Sequence, residues 1–304
     1  KLVWTPCWNR KALILSAWLM TTVSASAPAK VNLTLHVTGQ RDDGYHLLES
    51  LVVFADVADQ LSAITAPDLR LTVTGPFSHG VPVDDSNLVL RAAHALRTVR
   101  NVQTGAHITL EKHLPNQAGI GGGSADAAAA LTMLAELWQV QPLPATAPEV
   151  VALGADVPVC LRTPEPTMMS GIGDILTATA KLPTCALILV KPQTTVPTGA
   201  VFQGLASKTN PRLDALPEGI DFAGFAAWLN TQRNDLLPPA RLVAPDIDAA
   251  LKKLQAMPAV KSVGMSGSGA TCFGLVADMA TARQVARAIQ VSEMAWWVAP
   301  AAVL

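Results

Sequence analysis

Pro115-Asn116-Gln117-Ala118-Gly119-Ile120-Gly121-Gly122-Gly123-Ser124-Ala125-Asp126 runs straight into the alanine-rich stretch Ala127–Ala130. Glycine occupies four of the five positions from 119 to 123, so backbone N–H groups can approach an anion with no side chain in the way. Ala127, Leu131, Leu134, Leu137 and Trp138 recur at helical spacing, so the loop opens into a helix, and Ser124 is the candidate N-cap with Asp126 in the first turn. Unpaired N–H donors and the positive end of the helix dipole add to the attraction for phosphate. No Gly-Lys-Ser/Thr closes the loop, which sets it apart from a Walker A motif. It also fits the dinucleotide fingerprint poorly, because Ser124 stands where a third glycine belongs.

Around this loop, strands and helices mix. Lys30, Asn32, Thr34 and His36 alternate with Val31, Leu33, Leu35 and Val37, a period of two that predicts a strand with Lys30 and Asn32 on one face. Strands are also expected at Leu48–Val57, Leu69–Thr74, Ala106–Glu111, Ala186–Lys191 and Thr271–Val276. Helices are expected at Asn87–Arg100, Glu149–Leu153, Ile220–Leu229 and Ile247–Met257. Pro164–Pro166 reads as a boundary, and Val263–Ala270 is a second glycine-rich loop, placed to close over phosphates from a second domain. No 20–50-residue period repeats, which excludes a solenoid. The fold class is therefore α+β in two domains.

Composition narrows the function. The 304 residues are half apolar and 15% charged, with net charge −1, so no global field recruits nucleic acid or an anionic membrane. Cys7, Cys160, Cys185 and Cys272 lie far apart with no Cys-x-x-Cys pair, which argues against a zinc site or disulfide framework and for a reducing cytoplasm. Arg10-Lys11, the apolar run Ala12–Leu19 and Ala25-Ser26-Ala27 imitate a secretory signal, and Met20 offers an alternative start. Residues 1–26 are accordingly expected to be a disordered or non-native extension. Taken alone, Lys30 is an ordinary strand-edge lysine and Asp156, in Gly154-Ala155-Asp156-Val157-Pro158, an ordinary turn or cap residue. Together they supply a cation and a base, which a phosphoryl-accepting hydroxyl can use.

Five pieces occur in order: Pro28-Ala29-Lys30-Val31-Asn32-Leu33, Asp43-Gly44-Tyr45-His46, the first glycine loop, Gly154–Pro158, and Gly267-Ser268-Gly269-Ala270. In this the chain resembles the GHMP kinase superfamily, and within it the branch that acts on 4-diphosphocytidyl-2-C-methyl-D-erythritol. Val196-Pro197-Thr198 with Phe202, Arg233-Asn234-Asp235, and Trp296-Trp297-Val298-Ala299-Pro300 extend the likeness from residue 27 to 304. The resemblance implies an N-terminal ribosomal protein S5 domain 2-like, ATP-binding and catalytic domain over 27–166. It implies a ferredoxin-like C-terminal domain over 167–304, with the last strand a candidate to return to the first domain. The implied activity is ATP-dependent phosphorylation of the substrate's 2-hydroxyl in the non-mevalonate isoprenoid pathway, by a cytoplasmic monomer or weak homodimer.

Carried over residue by residue, the resemblance makes Lys30 and Asp156 catalytic. Pro115, Ala118, Gly119, Ile120, Gly121, Gly122, Gly123, Ser124 and Ala125 would bind ATP, with Ser124 the candidate contact for Mg²⁺. Asn32, Tyr45, His46, Asp156, Thr198 and Phe202 would bind the cytidine diphosphate-linked substrate. Tyr45 and Phe202 are expected to sandwich the cytosine while His46 reads its polar edge. Two positions depart from the family pattern. Gln117 stands where a small residue is usual and would narrow the mouth of the loop, and Ala125 replaces a second serine and removes a phosphate or metal contact. Two other readings remain open at this point: a homoserine- or mevalonate-type GHMP kinase, and an exported anion-binding module.

Overall fold

A computed structural model describes residues 22–304. The chain forms, in order, β1 (Val23–Asn32), β2 (His36–Gln40), β3 (His46–Ala66), β4 (Arg70–Thr74), α1 (Leu88–Val99), β5 (Gly105–Glu111), α2 (Gly122–Leu137), α3 (Pro148–Val151), α4 (Val157–Cys160), β6 (Thr167–Gly171) and β7 (Ile175–Ala178). It continues through β8 (Ala186–Lys191), α5 (Thr198–Gln203), α6 (Phe222–Thr231), α7 (Leu237–Val243), α8 (Asp246–Gln255), β9 (Ser262–Met265), β10 (Cys272–Val276), α9 (Met279–Ser292) and β11 (Trp297–Ala302).

The first seven strands make one sheet, organised by the 21-residue β3. One half of β3 pairs with β2 and β6, the other with β5, and β1 runs antiparallel along its middle and far end. β4 and β5 are parallel, as a crossover through α1 requires. The alanines of α2 let its backbone approach the sheet closely, and Ala127, Ala130 and Leu134 are fully buried there. The second sheet has the order β11-β8-β10-β9, all antiparallel. Numbered within that sheet this is 4-1-3-2, with helices before its second and fourth strands, which is the ferredoxin-like arrangement. Phe225, Phe273 and Leu187 fill the core where the sheets meet through Val31, Leu51 and Ile120.

Four expectations are changed or refined. β1 begins at Val23, and Val23–Ser26 pair with Ala63–Gln60, so the end of the proposed extension is strand. Backbone pairing to the long β3 explains this. Residues 1–21, including the signal-like run, Met20 and Cys7, lie outside the described residues. The boundary at 166/167 also moves, because β6 and β7 belong to the first sheet and the chain reaches the second only at β8. β11 stays in the second sheet beside β8. Its end reaches the first, where the Ala302 N–H donates to Asp56 Oδ1 (2.7 Å), Val303 bridges Ala55 and the Leu304 N–H donates to the Phe54 carbonyl (2.9 Å), while Trp297 and Ala301 pack in the core between the sheets. The strand expected through Lys30–His36 breaks at Leu33–Thr34, where the Thr34 hydroxyl takes the Leu51 N–H (2.8 Å) in place of a ladder bond.

Candidate active site

The glycine loop descends from β5 and enters α2 with Gly121 as N-cap, in the left-handed region at φ 65°. Ser124 therefore sits one turn inside the helix and not at its cap. Glycine at 121 frees the φ and also gives Lys30 room, since a Cβ there would lie 3.2 Å from the lysine side chain. Gly119, at φ 73°, is where the two glycine loops meet. A Cβ on it would stand 2.6 Å from the carbonyl oxygens of both Ser266 and Gly269. The Ser266 hydroxyl fastens the junction by donating to the Gly119 carbonyl (2.8 Å) and accepting the Asn32 N–H (3.1 Å). Asn234 holds the second loop from the other side, its Nδ2 donating to the carbonyls of Met265 (2.7 Å) and Gly267 (2.9 Å).

Lys30, buried on β1, donates from Nζ to Asp156 Oδ2 at 2.8 Å. Asp156 occupies the N-cap position of α4 without using its side chain as a cap, which leaves the carboxylate for the lysine. Cavities open on either side of the loop, and the pair lines the larger of them. One, of about 630 Å³, is lined by Lys30, Asn32, Tyr45, His46, Gly119, Gly121, Ser124, Asp156, Thr198, Phe202, Gly267 and Ser268. The other, of about 420 Å³, is lined by Asn87, Lys112, Pro115, Gln117, Ala118, Gly119, Gly121–Gly123, Ser124 and Asp126. Gly119, Gly121 and Ser124 face both. Two cavities thus share one glycine wall, a geometry suited to moving a group between molecules bound on its two sides.

Most residues singled out from the sequence converge here. Asn32 gives its Nδ2 to Ser50 (2.8 Å), while its Oδ1 is buried without a partner. Thr198 shares a hydrogen bond with Ser268 (2.9 Å). The Phe202 ring packs on His46 at a centroid distance of 5.0 Å, and Tyr45, 59% exposed, lies at the rim. Burial, with help from the nearby Lys208 charge, holds the His46 imidazole below its ordinary value and so neutral at pH 7.

Other expectations need correction. Ala125 is buried in the core beneath the loop and lines a small cavity with Ser26 and Pro28, so a hydroxyl there would not face the loop's cavities. The Ile120 side chain is likewise core, and only its carbonyl serves the site, accepting the Lys30 N–H at 2.9 Å. The second glycine loop lines the larger cavity through Gly267 and Ser268, not the cavity on the helix side. Gln117 adopts a left-handed φ of 50°, uncommon for a residue with a long side chain, and lines the smaller cavity.

Sequence reasoning missed a buried charge cluster under the loop. Lys112 Nζ bonds to both Asp59 and Asp126, and all three side chains are at most 4% exposed. Burial acts against the Lys112 charge, but the two carboxylates outweigh it and its pKa is raised. Burial also raises Asp126, to about 7, against the opposing pull of Lys112. The spacing Asp59, Lys112, Asp126 has no periodicity to reveal it; a lysine three residues before the loop was the one available sign. Among the described residues no cluster of three or more His, Cys, Asp or Glu is arranged to hold a metal ion, and no helix is long and apolar enough to cross a membrane. Cys160, Cys185 and Cys272 are buried and unpaired.

Comparison with known proteins bears on this geometry. Residues 87–179 match the GHMP kinases N terminal domain and residues 213–293 the GHMP kinases C terminal domain. A 4-diphosphocytidyl-2-C-methyl-D-erythritol kinase of Cereibacter sphaeroides is 55% identical over 91% of this chain and 98% of its own. One from Paramagnetospirillum magneticum is 48% identical over 94% of this chain and 100% of its own. A crystal structure of 4-(cytidine 5'-diphospho)-2C-methyl-D-erythritol kinase superposes with a TM-score of 0.76 at 31% identity, over 92% of this chain and 99% of its own. Homoserine kinase from Cytophaga hutchinsonii superposes at 0.65 but is only 15% identical, a likeness of fold alone. The chain is an ATP-dependent small-molecule kinase of the GHMP superfamily and belongs, within it, to the 4-diphosphocytidyl-2-C-methyl-D-erythritol kinase family.

Proposed function

We propose that the larger cavity binds 4-diphosphocytidyl-2-C-methyl-D-erythritol, that the smaller one binds ATP, and that the γ-phosphoryl group passes between them beside Lys30 and Asp156. The observation that carries this reading is the 2.8 Å Lys30–Asp156 contact on the wall of the larger cavity, which shares Gly119, Gly121 and Ser124 with the smaller one. In the reaction the substrate's 2-hydroxyl oxygen forms a bond to the γ-phosphorus, the bond from that phosphorus to the ADP oxygen breaks, and the hydroxyl proton passes to Asp156 Oδ. Lys30 orients the hydroxyl and Asp156 and offsets charge on the moving phosphoryl. Because such transition states are loose, positioning and electrostatics carry most of the acceleration.

Backbone N–H groups of Gly119 and Gly121–Ser124 are assigned to the phosphates. Mg²⁺ fits as an ion carried mainly by the triphosphate and water, with the Ser124 hydroxyl the protein contact. The donor set facing both cavities offers that hydroxyl and no carboxylate cage, which suits this ion. Its chemistry would be to neutralise charge on the β- and γ-oxygens. Tyr45 and Phe202 are assigned to the cytosine faces and the neutral His46 to its edge, while Asn32 and Thr198 hold the acceptor end. Phe202 rests on His46, so the base would enter between Phe202 and the exposed Tyr45. ATP is a cytoplasmic metabolite, and we assign the enzyme to the cytoplasm as a monomer or weak homodimer.

The test is ATP consumption with the cytidyl substrate, homoserine and mevalonate, for wild type and Asp156→Asn. Wild type is expected to prefer the cytidyl substrate, and the variant to lose about 10²- to 10⁴-fold in kcat with KM little changed. Preference for a non-nucleotide alcohol would overturn the acceptor, and an undiminished kcat would overturn the role of Asp156.

A further inference from the structure

We propose that Asp59, Lys112 and Asp126 are positioning residues for the nucleotide, clamping the two ends of the first glycine loop from beneath and setting its opening to the triphosphate. This rests on the reading that ATP occupies the smaller cavity.

Asp59, on β3, is fully buried. Its Oδ1 accepts the N–H groups of His113 (2.6 Å) and Leu114 (2.8 Å), the two peptide groups that lead into the loop. Its Oδ2 accepts from Lys112 Nζ. The same ammonium donates at 2.8 Å to Asp126 Oδ2, on α2 beyond the loop. One cation therefore ties the entry of the loop to its exit, and Asp59 anchors that cation to the sheet. The loop backbone rests on the cluster, since a Cβ on Gly122 would lie 3.6 Å from Lys112 Nζ and 3.8 Å from Asp59 Oδ2.

Burying three ionisable groups is costly, and apolar residues of similar size often serve stability as well or better. What the ions supply is directional grip on a segment whose glycines have no side chains with which to hold themselves. Two carboxylates against one ammonium would also leave excess negative charge below a phosphate site. The raised Asp126 carboxyl brings the cluster near neutrality at pH 7, and Lys112 lines the cavity itself.

The experiment is calorimetric titration of ADP alone, with steady-state kinetics in both substrates, on wild type, Asp59→Asn, Asp126→Asn, Lys112→Met and Lys112→Arg. ADP titration needs no acceptor, so it separates the clamp from the identity of the phosphorylated alcohol. Both Asn variants are expected to weaken ADP and raise the KM for ATP about tenfold, leaving the KM for the cytidyl substrate within about twofold. Lys112→Arg should retain more ADP affinity than Lys112→Met, and it carries the test if an Asn variant does not fold. Unchanged ADP affinity in these variants would overturn the proposal. So would an equal rise in both KM values accompanied by a lowered Tm, because a merely structural cluster does not distinguish the two substrates.

Discussion

At the scale of single residues, the site depends on atoms that fit one arrangement. Gly119 is the tightest example, because its φ of 73° and the two carbonyls 2.6 Å from any Cβ leave no space for alanine. Gly119→Ala is expected to part the two glycine loops and abolish kinase activity, with the loss read by ATP turnover and the fold checked by circular dichroism. His46 carries a prediction about pH. Its lowered pKa keeps the ring neutral down to the ordinary imidazole range, so the KM for the cytidyl substrate should stay flat from pH 8 to about 6.5 and rise only below. A KM that already rises between pH 8 and 7 would contradict a neutral, base-reading His46. Lys30, Asp156 and the glycines stood out in the sequence only as an ordered set, through the family resemblance, because each taken alone has an ordinary structural reading. The place of Ala125 was not legible there. Its neighbour Ser124 faces both cavities, but the turn of the helix carries position 125 into the core, and loop sequence alone does not say where the helix begins.

At the scale of elements, periodicity found what faces one core and lost what does not. β5, β8, β10, α1 and α8 were anticipated within a few residues. β6 and β7 escaped notice because they form the exposed margin of the first sheet, where Ile175 and Thr177 carry little alternation. α6 shows how local chemistry supports an element far from catalysis. Asp221 caps it by accepting the Gly224 N–H (2.8 Å), and Phe225 and Trp228 then pack into the inter-sheet core. Asp221→Ala should cost about 1 kcal/mol by denaturant unfolding while leaving kcat and both KM values unchanged. The element that joins loop and sheet should respond differently to pH. Asp126 binds its proton more tightly folded than unfolded, so its contribution to stability falls as pH rises from about 4 through 7. Unfolding free energies measured across that window should lose part of their slope in Asp126→Asn.

Over the whole molecule, the decisive feature is where the two sheets touch. The Ser266 hydroxyl joins β1 of the first sheet, the first glycine loop and the second loop at one buried point. Ser266→Ala leaves the Asn32 N–H and the Gly119 carbonyl unpaired, at a cost of about 1–3 kcal/mol. Because the hydroxyl holds Gly119, which lines both cavities, KM should rise for both substrates, unlike the clamp variants, which act on ATP alone. Equal stability and unchanged kinetics in Ser266→Ala would show that the loops are held in place without it.

The amino-acid sequence by itself determined the motif residues, the two-domain α+β class and the family, since short-range spacing and residue chemistry encode those directly. Only the tertiary structure decided which cavity each loop lines, where the first sheet ends, and that Asp59, Lys112 and Asp126 meet beneath the glycines. Those are contacts between residues up to 234 positions apart, as Asn32 and Ser266 are, and they are set by how the strands pair and the sheets pack. No local pattern records such a distance, because the free energy that selects it comes from burying the two sheets against each other.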